Sequence, residues 1–415
     1  MQLNSISVKD AEKVEATCQF CCLLLREARH LTRISGRVIR QVDGQPLAFN
    51  FERECQTGVA EHGITEFTKT IILKVDLQPV PTPEDIEIKF NICPIFTDRG
   101  DDRLQCAQFV STDSIDLGLC SKWLRDCEMQ HLPYCRGLGQ EIDKLPLPQK
   151  FRLVDTIDDC IILAPPDCRY IALSYVWGQS AILKLNGDNA EKFVRPGSLT
   201  RHMADLPKTI QDAIHVVRSM GERYLWVDSL CIIPESPQRE EQIANMDSIY
   251  GAAVLTIVAA CGSDANAGLR GVRKGSRIFS QSAATIWHDL TLVAAASPGD
   301  IAESIWATRG WTYQEQLLSQ RLLVFTTEGQ VVWQCASSHL LEDTSSTIRV
   351  RPLRRLRQLR GGLRLNEHQL TPNPTLSDAI AEYVAVVQGN TKRRFTLNMM
   401  FWLHFKVLEV SLSAI

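Results

Sequence analysis

The segment YIALSYVWG, Tyr170–Gly178, begins the part of the chain that decides the fold. Its first seven residues are apolar or aromatic apart from Ser174, which predicts a short buried strand. The segment LPKTIQDAIHVVRSMG at 206–221 then predicts a helix with one apolar face, ended by Gly221. YLWVDSLCII at 224–233 predicts a second strand. Strand, helix, strand is the pattern that starts a parallel sheet wrapped by helices.

The same alternation continues towards the C-terminus. Helices are predicted for EEQIANMDSIYGAA at 240–253 and for RGWTYQEQLLS at 309–319. Strands are predicted for VLTIVAA at 254–260, RLLVFT at 321–326 and VVWQC at 331–335. The fold class is therefore α/β, a parallel sheet with flanking helices.

A chain of 415 residues is expected to form two or three structural units. Apolar and polar residues alternate at 86–92, and the segment at 68–77 has a similar strand-like pattern, so both are predicted to be antiparallel strands. The segment LPLPQ marks a boundary near residue 150. We predict an N-terminal accessory region with antiparallel strands at 1–144, the α/β domain at 145–345, and a basic and apolar, helical or irregular tail at 346–415.

Charge and cysteine usage limit the partners and the compartment. The net charge of −3 gives no global electrostatic reason to expect nucleic acid or an anionic membrane as the main partner. The fourteen cysteines follow a polar N-terminus that lacks an apolar signal region, so reduced thiols in the cytoplasm are expected.

The C-terminal region holds two biased segments. Arg349–Arg364 is rich in arginine; it could contact anionic lipid or nucleic acid, but a solvated helix or loop is the favoured interpretation. Phe395–Ile415 has the length of a membrane span, yet His404, Lys406 and Glu409 lie inside it. We therefore expect no transmembrane anchor, but a packed helix or sequence foreign to the natural fold.

Cysteine and histidine recur in SKWLRDCEMQHLPYC, Ser121–Cys135. Cys127, His131 and Cys135 would share one helical face if Pro133 permits the helix to continue, and with Cys120 as a possible fourth ligand they could hold zinc. The spacing lacks the close CxxC pairs of structural zinc sites, so a helix with buried thiols is the favoured interpretation and no metal ligand is assigned.

Polar and aromatic residues follow the first predicted strand. Ligands of open parallel sheets bind beyond the carboxyl ends of the strands, so residues from Ser174 to Gly178 are candidates, together with the loop after Ala260. Tyr175 and Trp177 could stack on a planar base, and Gly178 leaves room for a ligand or for neighbouring backbone. The alternative is that Trp177 is a core residue.

Asp228 and Ser229 follow the second predicted strand and should reach the same edge of the sheet. Asp228 could hold ribose hydroxyls or a cationic group, and Ser229 could add a donor. Alternatively, Asp228 caps a turn. Trp226, inside the strand, is predicted to be core.

Glu315 lies four residues after Trp311, so both occupy one face of the predicted helix. A glutamate shielded beside a tryptophan suits acid–base work or stabilisation of a sugar cation. Arg309 could pair with it or bind a phosphate. The alternative is a glutamate that favours the helix dipole beside an aromatic core residue.

Together the three tryptophan blocks, YIALSYVWG, YLWVDSLCIIPE and RGWTYQEQL, resemble the heterokaryon incompatibility (HET) domain of filamentous fungi. LPKTIQDAI, MDSIYGAAVLTIVAA and WLRDCEMQHLPYC carry the resemblance further, over roughly Leu145–Val331. The family is associated with non-self recognition and cell death. HET domains are considered similar to TIR domains, which are flavodoxin-like.

The resemblance implies a function and a site. Some TIR domains cleave NAD with a glutamate four residues after a tryptophan, and that pattern falls here on Trp311 and Glu315. It implies a cytoplasmic death effector with no required cofactor, NAD as substrate, and incompatibility or NLR-type proteins as partners. The alternative is a non-enzymatic, self-associating module that recruits partners, and a weaker one is a zinc-dependent adaptor.

Two departures from the family pattern stand out. Gln242 occupies a position where the family often carries a carboxylate, and the segment after RRFT does not resemble the usual helical continuation. The first difference argues against a catalytic role for the helix that carries Gln242, and the second predicts a truncated or altered C-terminal tail.

Overall fold

The structure is a computed structural model that describes residues 5–35, 48–57, 69–78, 88–96, 107–131, 135, 147–179, 183–278, 281–288, 290–295, 301, 304–335 and 337–343. The predicted tail at 346–415 lies outside these residues.

The strands, in chain order, are β1 Ser5–Ser7, β2 Ala48–Thr57, β3 Lys69–Gln78, β4 Ile88–Phe96, β5 Arg152–Asp155, β6 Cys160–Leu163, β7 Tyr170–Ser174, β8 Tyr224–Trp226, β9 Leu255–Ala259, β10 Ala283–Trp287, β11 Leu290–Ala295, β12 Arg321–Phe325, β13 Val331–Cys335 and β14 His339–Leu341. The α-helices are α1 Val8–Val14, α2 Gln19–Ser35, α3 Leu117–Gln130, α4 Ala190–Phe193, α5 Ser198–Arg201, α6 Lys208–Ser219, α7 Asp228–Cys231, α8 Arg239–Ala244, α9 Met246–Ala252 and α10 Gly310–Leu318. Short 3-10 helices span Met203–Asp205 and Trp306–Thr308.

The described residues form two compact units. The first contains those within 1–112, 279–297 and 342–349, and the second contains those within 113–278 and 298–341. Helix α3, which the sequence analysis grouped with the accessory region, buries Trp123, Leu124 and Cys127 in the core of the second unit.

The first unit is built on an antiparallel sheet in the order β1-β2-β3-β4-β11-β10. Its core joins buried side chains of α2, such as Leu23 and Leu24, to Phe49, Phe90 and Ile92 of the strands. The predicted antiparallel pair at 68–77 and 86–92 is confirmed by the register of β3 and β4. The β10–β11 hairpin, about 200 residues later in the chain, was not predicted.

The second unit contains a sheet in the order β14-β13-β12-β9-β7-β8-β5-β6. The four middle strands β12, β9, β7 and β8 are parallel to one another, as predicted. The flanking strands β13, β14, β5 and β6 are antiparallel, so the sheet is mixed rather than wholly parallel. Short turns join β5 to β6 and β12 to β13, and such connections permit only antiparallel pairing.

The middle strands are buried on both faces. Every residue of β7, β9 and β12 is buried. In β12, Leu323 and Phe325 join the larger core cluster, whereas Leu322 and Val324 join a second cluster on the opposite face. Alternate residues therefore pack into separate cores, which explains why these strands are continuous apolar runs in the sequence.

Two predicted elements are interrupted. Strand β8 stops at Trp226, and Asp228–Cys231 turns into the short helix α7, with the amide of Cys231 donating to the carbonyl of Val227 at 2.8 Å. The helix predicted at 240–253 divides into α8 and α9 at Asn245.

No helix among the described residues is long and apolar enough to cross a bilayer.

Candidate functional site

A cavity of about 400 Å³ lies at the carboxyl edge of β7 and β8, within the second unit. We call it the cleft. Its walls come from the loop after β7 and from α7, α8, α9 and α10, and they include seven of the predicted site residues: Tyr175, Trp177, Asp228, Ser229, Arg309, Trp311 and Glu315. The volume is within the range of small-molecule sites in proteins, roughly 300–1,000 Å³.

The segments after β7 and β8 are joined by side-chain hydrogen bonds. The indole Nε1–H of Trp177 donates to Oδ2 of Asp228 at 2.9 Å, and the backbone N–H of Ser229 donates to Oδ1 of the same carboxylate at 2.6 Å. The hydroxyls of Tyr175 and Ser229 are 2.9 Å apart. These bonds fix the positions of aromatic and acidic groups at the base of the cleft.

Glu315 is the acidic group of the third tryptophan block. It lies on α10, one turn after Trp311, and its side chain is 8% exposed. The hydroxyl of Ser174 donates to its carboxylate, and the Oγ of Ser174 in turn accepts from Nε1–H of Trp306 at 2.7 Å. Burial raises the pKa of Glu315 to about 7, and the hydrogen bond from Ser174 opposes that rise.

Asp228 and Arg309 complete the charges around Glu315. Burial raises the pKa of Asp228, while hydrogen bonds from Ser229, Trp177 and Tyr175 and the charge of Arg309 oppose that rise. The guanidinium of Arg309 donates to the backbone carbonyl of Tyr175 at 2.8 Å. The cleft therefore holds two carboxyl groups that each titrate above their ordinary range, and the charge of Arg309 stabilises the ionised form of both.

Ser174 and Gly178 do not line the cavity. Ser174 is linked to the cavity wall by the hydrogen bond that its hydroxyl donates to Glu315. Gly178 has a positive φ of 69°, and a Cβ added there would lie 2.4 Å from the Cβ of Asp264. Of the two explanations for this glycine, close approach of a neighbouring segment is the one that the structure contains.

The loop after β9 meets the loop after β7 but stays outside the cavity wall. The amide of Ala265 donates to the carbonyl of Trp177 at 3.3 Å, and Asp264 packs under Gly178. The loop after Ala260 thus contacts the segment that carries Trp177 without lining the cavity. Trp226 is 1% exposed and packs against Tyr250 with ring centroids 5.5 Å apart, which confirms its prediction as core.

Several residues of the cleft were missed from the sequence. The buried Tyr250 lies on α9, and its hydroxyl donates to the carbonyl of Leu173 at 3.3 Å. Burial dominates the raised pKa of Glu315, and the interaction with Tyr250 opposes that rise slightly. Lys184 holds its ammonium 4.6 Å from the ring centroid of Trp177, and exposed Arg239 also lines the cavity. Isolated basic residues in loops and helix ends carry no signal of their own, so no pattern in the sequence indicated them.

One protein-family model matches the region that contains the cleft. Residues 170–315 match the family model described as "Heterokaryon incompatibility protein (HET)". The matched range begins at the first residue of β7 and ends at Glu315, so it contains all of the predicted site residues. No curated protein and no solved structure gave a significant match.

Proposed function

Because the chain carries a HET domain at residues 170–315, we propose that it is an effector of heterokaryon incompatibility whose cleft binds NAD and hydrolyses its nicotinamide glycosidic bond. Loss of NAD would then cause cell death after non-self recognition. The proposal assigns the effector to the cytoplasm, with other incompatibility or NLR-type proteins as its activating partners and NAD as substrate rather than cofactor.

The position of Glu315 is the observation that carries this proposal. Its carboxyl group is buried, lines the cleft beside Trp311, and has a pKa of about 7. A pKa near neutrality means that the group is available in its ionised form at cellular pH but is poorly solvated. Such a carboxylate stabilises a neighbouring positive charge more strongly than one in water does.

The reaction requires little proton transfer. The bond between C1′ of the ribose and N1 of nicotinamide breaks, and its electron pair leaves with nicotinamide, which becomes neutral. Ionised Glu315 would stabilise the cation that develops at C1′. Water then adds to C1′ and releases a proton to solvent, giving ADP-ribose and nicotinamide.

The neighbouring residues suit the rest of such a substrate. Asp228 would accept hydrogen bonds from ribose hydroxyls, and Trp177 and Tyr175 would supply stacking surface. Arg309, with Lys184 and Arg239 at the cleft, would favour the phosphates.

The order of the parallel strands favours the flavodoxin-like, TIR-like form of the fold. From β8 to β12 the order is β8-β7-β9-β12, which is the second, first, third and fourth parallel strand of the chain. Flavodoxin-like sheets share this order and bind ligands where it reverses, next to the first strand. Here the first strand is β7, which ends at the cleft, whereas the antiparallel β13 is a departure from that fold.

Incubation of the purified protein with NAD tests the proposal. Nicotinamide release is measured by chromatography. We expect its rate to increase between pH 6 and pH 8 as Glu315 ionises. The rate of the Glu315→Gln variant should be lower than that of the wild type by at least about 100-fold. Glu191→Gln, which changes an exposed glutamate on α4, is the matched control. Equal rates in Glu315→Gln and wild type, or no release across a concentration series that includes assembled protein, would reject the enzymatic function.

A non-enzymatic function has its own supporting observation. The hydroxyl of Ser174 already donates to the Glu315 carboxylate, and the indole of Trp177 already donates to Asp228, as expected for a polar network that specifies a core. In that case the HET domain would trigger cell death by self-association and recruitment. Cell killing retained in a stably folded Glu315→Gln variant would favour this function over NAD hydrolysis.

A further inference from the structure

Four metal-ligating side chains meet in the interior of the second unit, away from the cleft. They are Cys127, His131, Cys135 and Cys335, all buried, and their ligand atoms lie within 4.8 Å of one another. None of the three cysteines forms a disulfide bond among the described residues, so each has a free thiol. We call this group the Cys3His cluster.

Local helical geometry and the sheet bring the cluster together. The amide of His131 donates to the carbonyl of Cys127 at 3.0 Å, and the amide of Cys135 donates to the carbonyl of His131 at 2.9 Å. These bonds align the three side chains on one face, as their spacing predicted. Cys335, the last residue of β13, brings in the fourth ligand from 200 residues further along the chain.

We propose that the Cys3His cluster binds one zinc ion and that this ion is structural. Three sulfurs and one imidazole nitrogen are a common donor set of structural zinc sites. Zn–S bonds of about 2.3 Å place the ligands of a tetrahedral site about 3.8 Å apart. The separation of 3.6 Å between Sγ of Cys335 and Nδ1 of His131 fits that edge, so little movement is required for binding.

The groups around the sulfurs are suited to thiolates. Buried Arg321 donates from Nε to Sγ of Cys127 at 3.2 Å, and the amide of Ser338 donates to Sγ of Cys335 at 3.2 Å. Three thiolates with one Zn²⁺ carry a net charge of −1, which the guanidinium of Arg321 offsets. Hydrogen-bond donors of this kind orient metal ligands and stabilise their charged form.

The position of the cluster indicates a structural rather than a catalytic ion. Arg321 begins β12 and pairs in register with Cys335, and it also donates to the carbonyl of Val254, just before β9. The cluster therefore lies at the amino ends of β9 and β12, whereas the cleft lies at the carboxyl ends of the parallel strands. Four protein ligands leave no open coordination position for a substrate.

The ion would join segments on both sides of the HET range. Cys127, His131 and Cys135 precede residue 170, and Cys335 follows residue 315. A bond between them closes a loop of 200 residues, which reduces the conformational freedom of the unfolded chain. Cys120, considered as a fourth ligand from the sequence, is outside the cluster and its thiol donates to the carbonyl of Asp116 at 3.5 Å.

Metal analysis of the full chain, expressed with added zinc and purified without chelators, tests the site. We expect about one zinc per chain, and X-ray absorption of the unmodified protein should show three sulfurs and one nitrogen around the metal. This second measurement needs no variant, so it remains decisive even if a ligand substitution prevents folding. Protein that contains no stoichiometric zinc, or zinc with a different ligand set, would overturn the proposal.

The matched variants are Cys335→Ser and Cys120→Ser. Both replace a buried thiol by a hydroxyl, and Cys120 is on the same helix as Cys127. We expect Cys335→Ser to lose most of its zinc and Cys120→Ser to keep it. Full zinc content in a folded Cys335→Ser variant, or equal loss in both, would exclude the assigned ligands.

Discussion

The indole N–H of Trp177 donates to Oδ2 of Asp228 at 2.9 Å, across the ends of two neighbouring parallel strands. The stacking candidate of the cleft and its ribose-binding candidate are thus one hydrogen-bonded unit. Since the other carboxylate oxygen accepts from the amide of Ser229, the orientation of Asp228 is fixed by the protein before any ligand binds.

This unit predicts energetic coupling between the two residues. We expect Trp177→Phe and Asp228→Asn, measured by denaturant unfolding alone and together, to show a coupling energy of about 0.5–3 kcal/mol, because either change removes the same bond. The pair Trp177→Phe with Asp205→Asn, an exposed carboxylate on a different segment, should be additive within about 0.5 kcal/mol. Additive effects in the first pair would contradict the bond.

Burial of Glu315 predicts a pH-dependent stability. Its pKa is about 7 in the folded chain, whereas the ordinary pKa of a glutamate, which applies to the unfolded chain, is 4.5. The folded state therefore binds the proton more tightly. The contribution to stability is complete below about pH 4.5 and is lost as the pH rises through about 7, by about 3 kcal/mol in total. Glu315→Gln should reduce this part of the pH dependence in thermal denaturation curves, and Glu191→Gln should retain it.

Removal of the Ser174 hydroxyl predicts a shift of the Glu315 titration. The hydroxyl favours the ionised carboxylate, so Ser174→Ala should raise the pKa of Glu315 further and move any activity profile to higher pH. The loss of stability should be about 1–3 kcal/mol, because Nε1–H of Trp306 also loses its acceptor. Ser198→Ala removes a buried bond to the carbonyl of Phe193 outside the cleft and should reduce stability without that shift. An identical pH profile in both variants would argue against control of Glu315 by Ser174.

The positive φ of Gly178 predicts a large cost for a side chain. Gly178→Ala should lower the free energy of unfolding by at least about 2 kcal/mol, through the left-handed conformation and the contact with Asp264. Gly187→Ala, where no atom lies within 4 Å of the added Cβ, should change it by less than about 1 kcal/mol. Similar unfolding free energies for the two variants would show that the loop after β7 relaxes freely.

Much of the α/β domain could be predicted because its elements carry local signals. The apolar runs of β7, β9 and β12 are fully buried strands, and α6 buries Ile210, Ala213 and its other apolar residues on one face. The rule that side chains after the carboxyl ends of neighbouring parallel strands meet at one edge predicted that Trp177 and Asp228 lie close together, because this rule depends on topology alone. Their roles toward a ligand stay a prediction.

Features that depend on contacts between residues far apart in the chain could not be predicted from the sequence. Nothing in VVWQC indicates that Cys335 joins three side chains located 200 residues earlier, because tertiary proximity leaves no periodicity in a sequence. The buried Tyr250 was not identified as a cleft residue for the same reason: helical spacing indicates that a side chain faces inward, not which polar group it meets.

The insertion of β10 and β11 into the middle of the chain has a practical consequence for any fragment. A protein that starts at residue 145 would contain this hairpin without β4, the strand that pairs with β11 from Asn91 to Phe96. Six consecutive residues of β11 would lose the strand with which they pair, and the bare edge would favour aggregation. A fragment from residue 145 in which a short polar turn replaces residues 281–295 should therefore be more soluble than one cut at the N-terminal boundary alone.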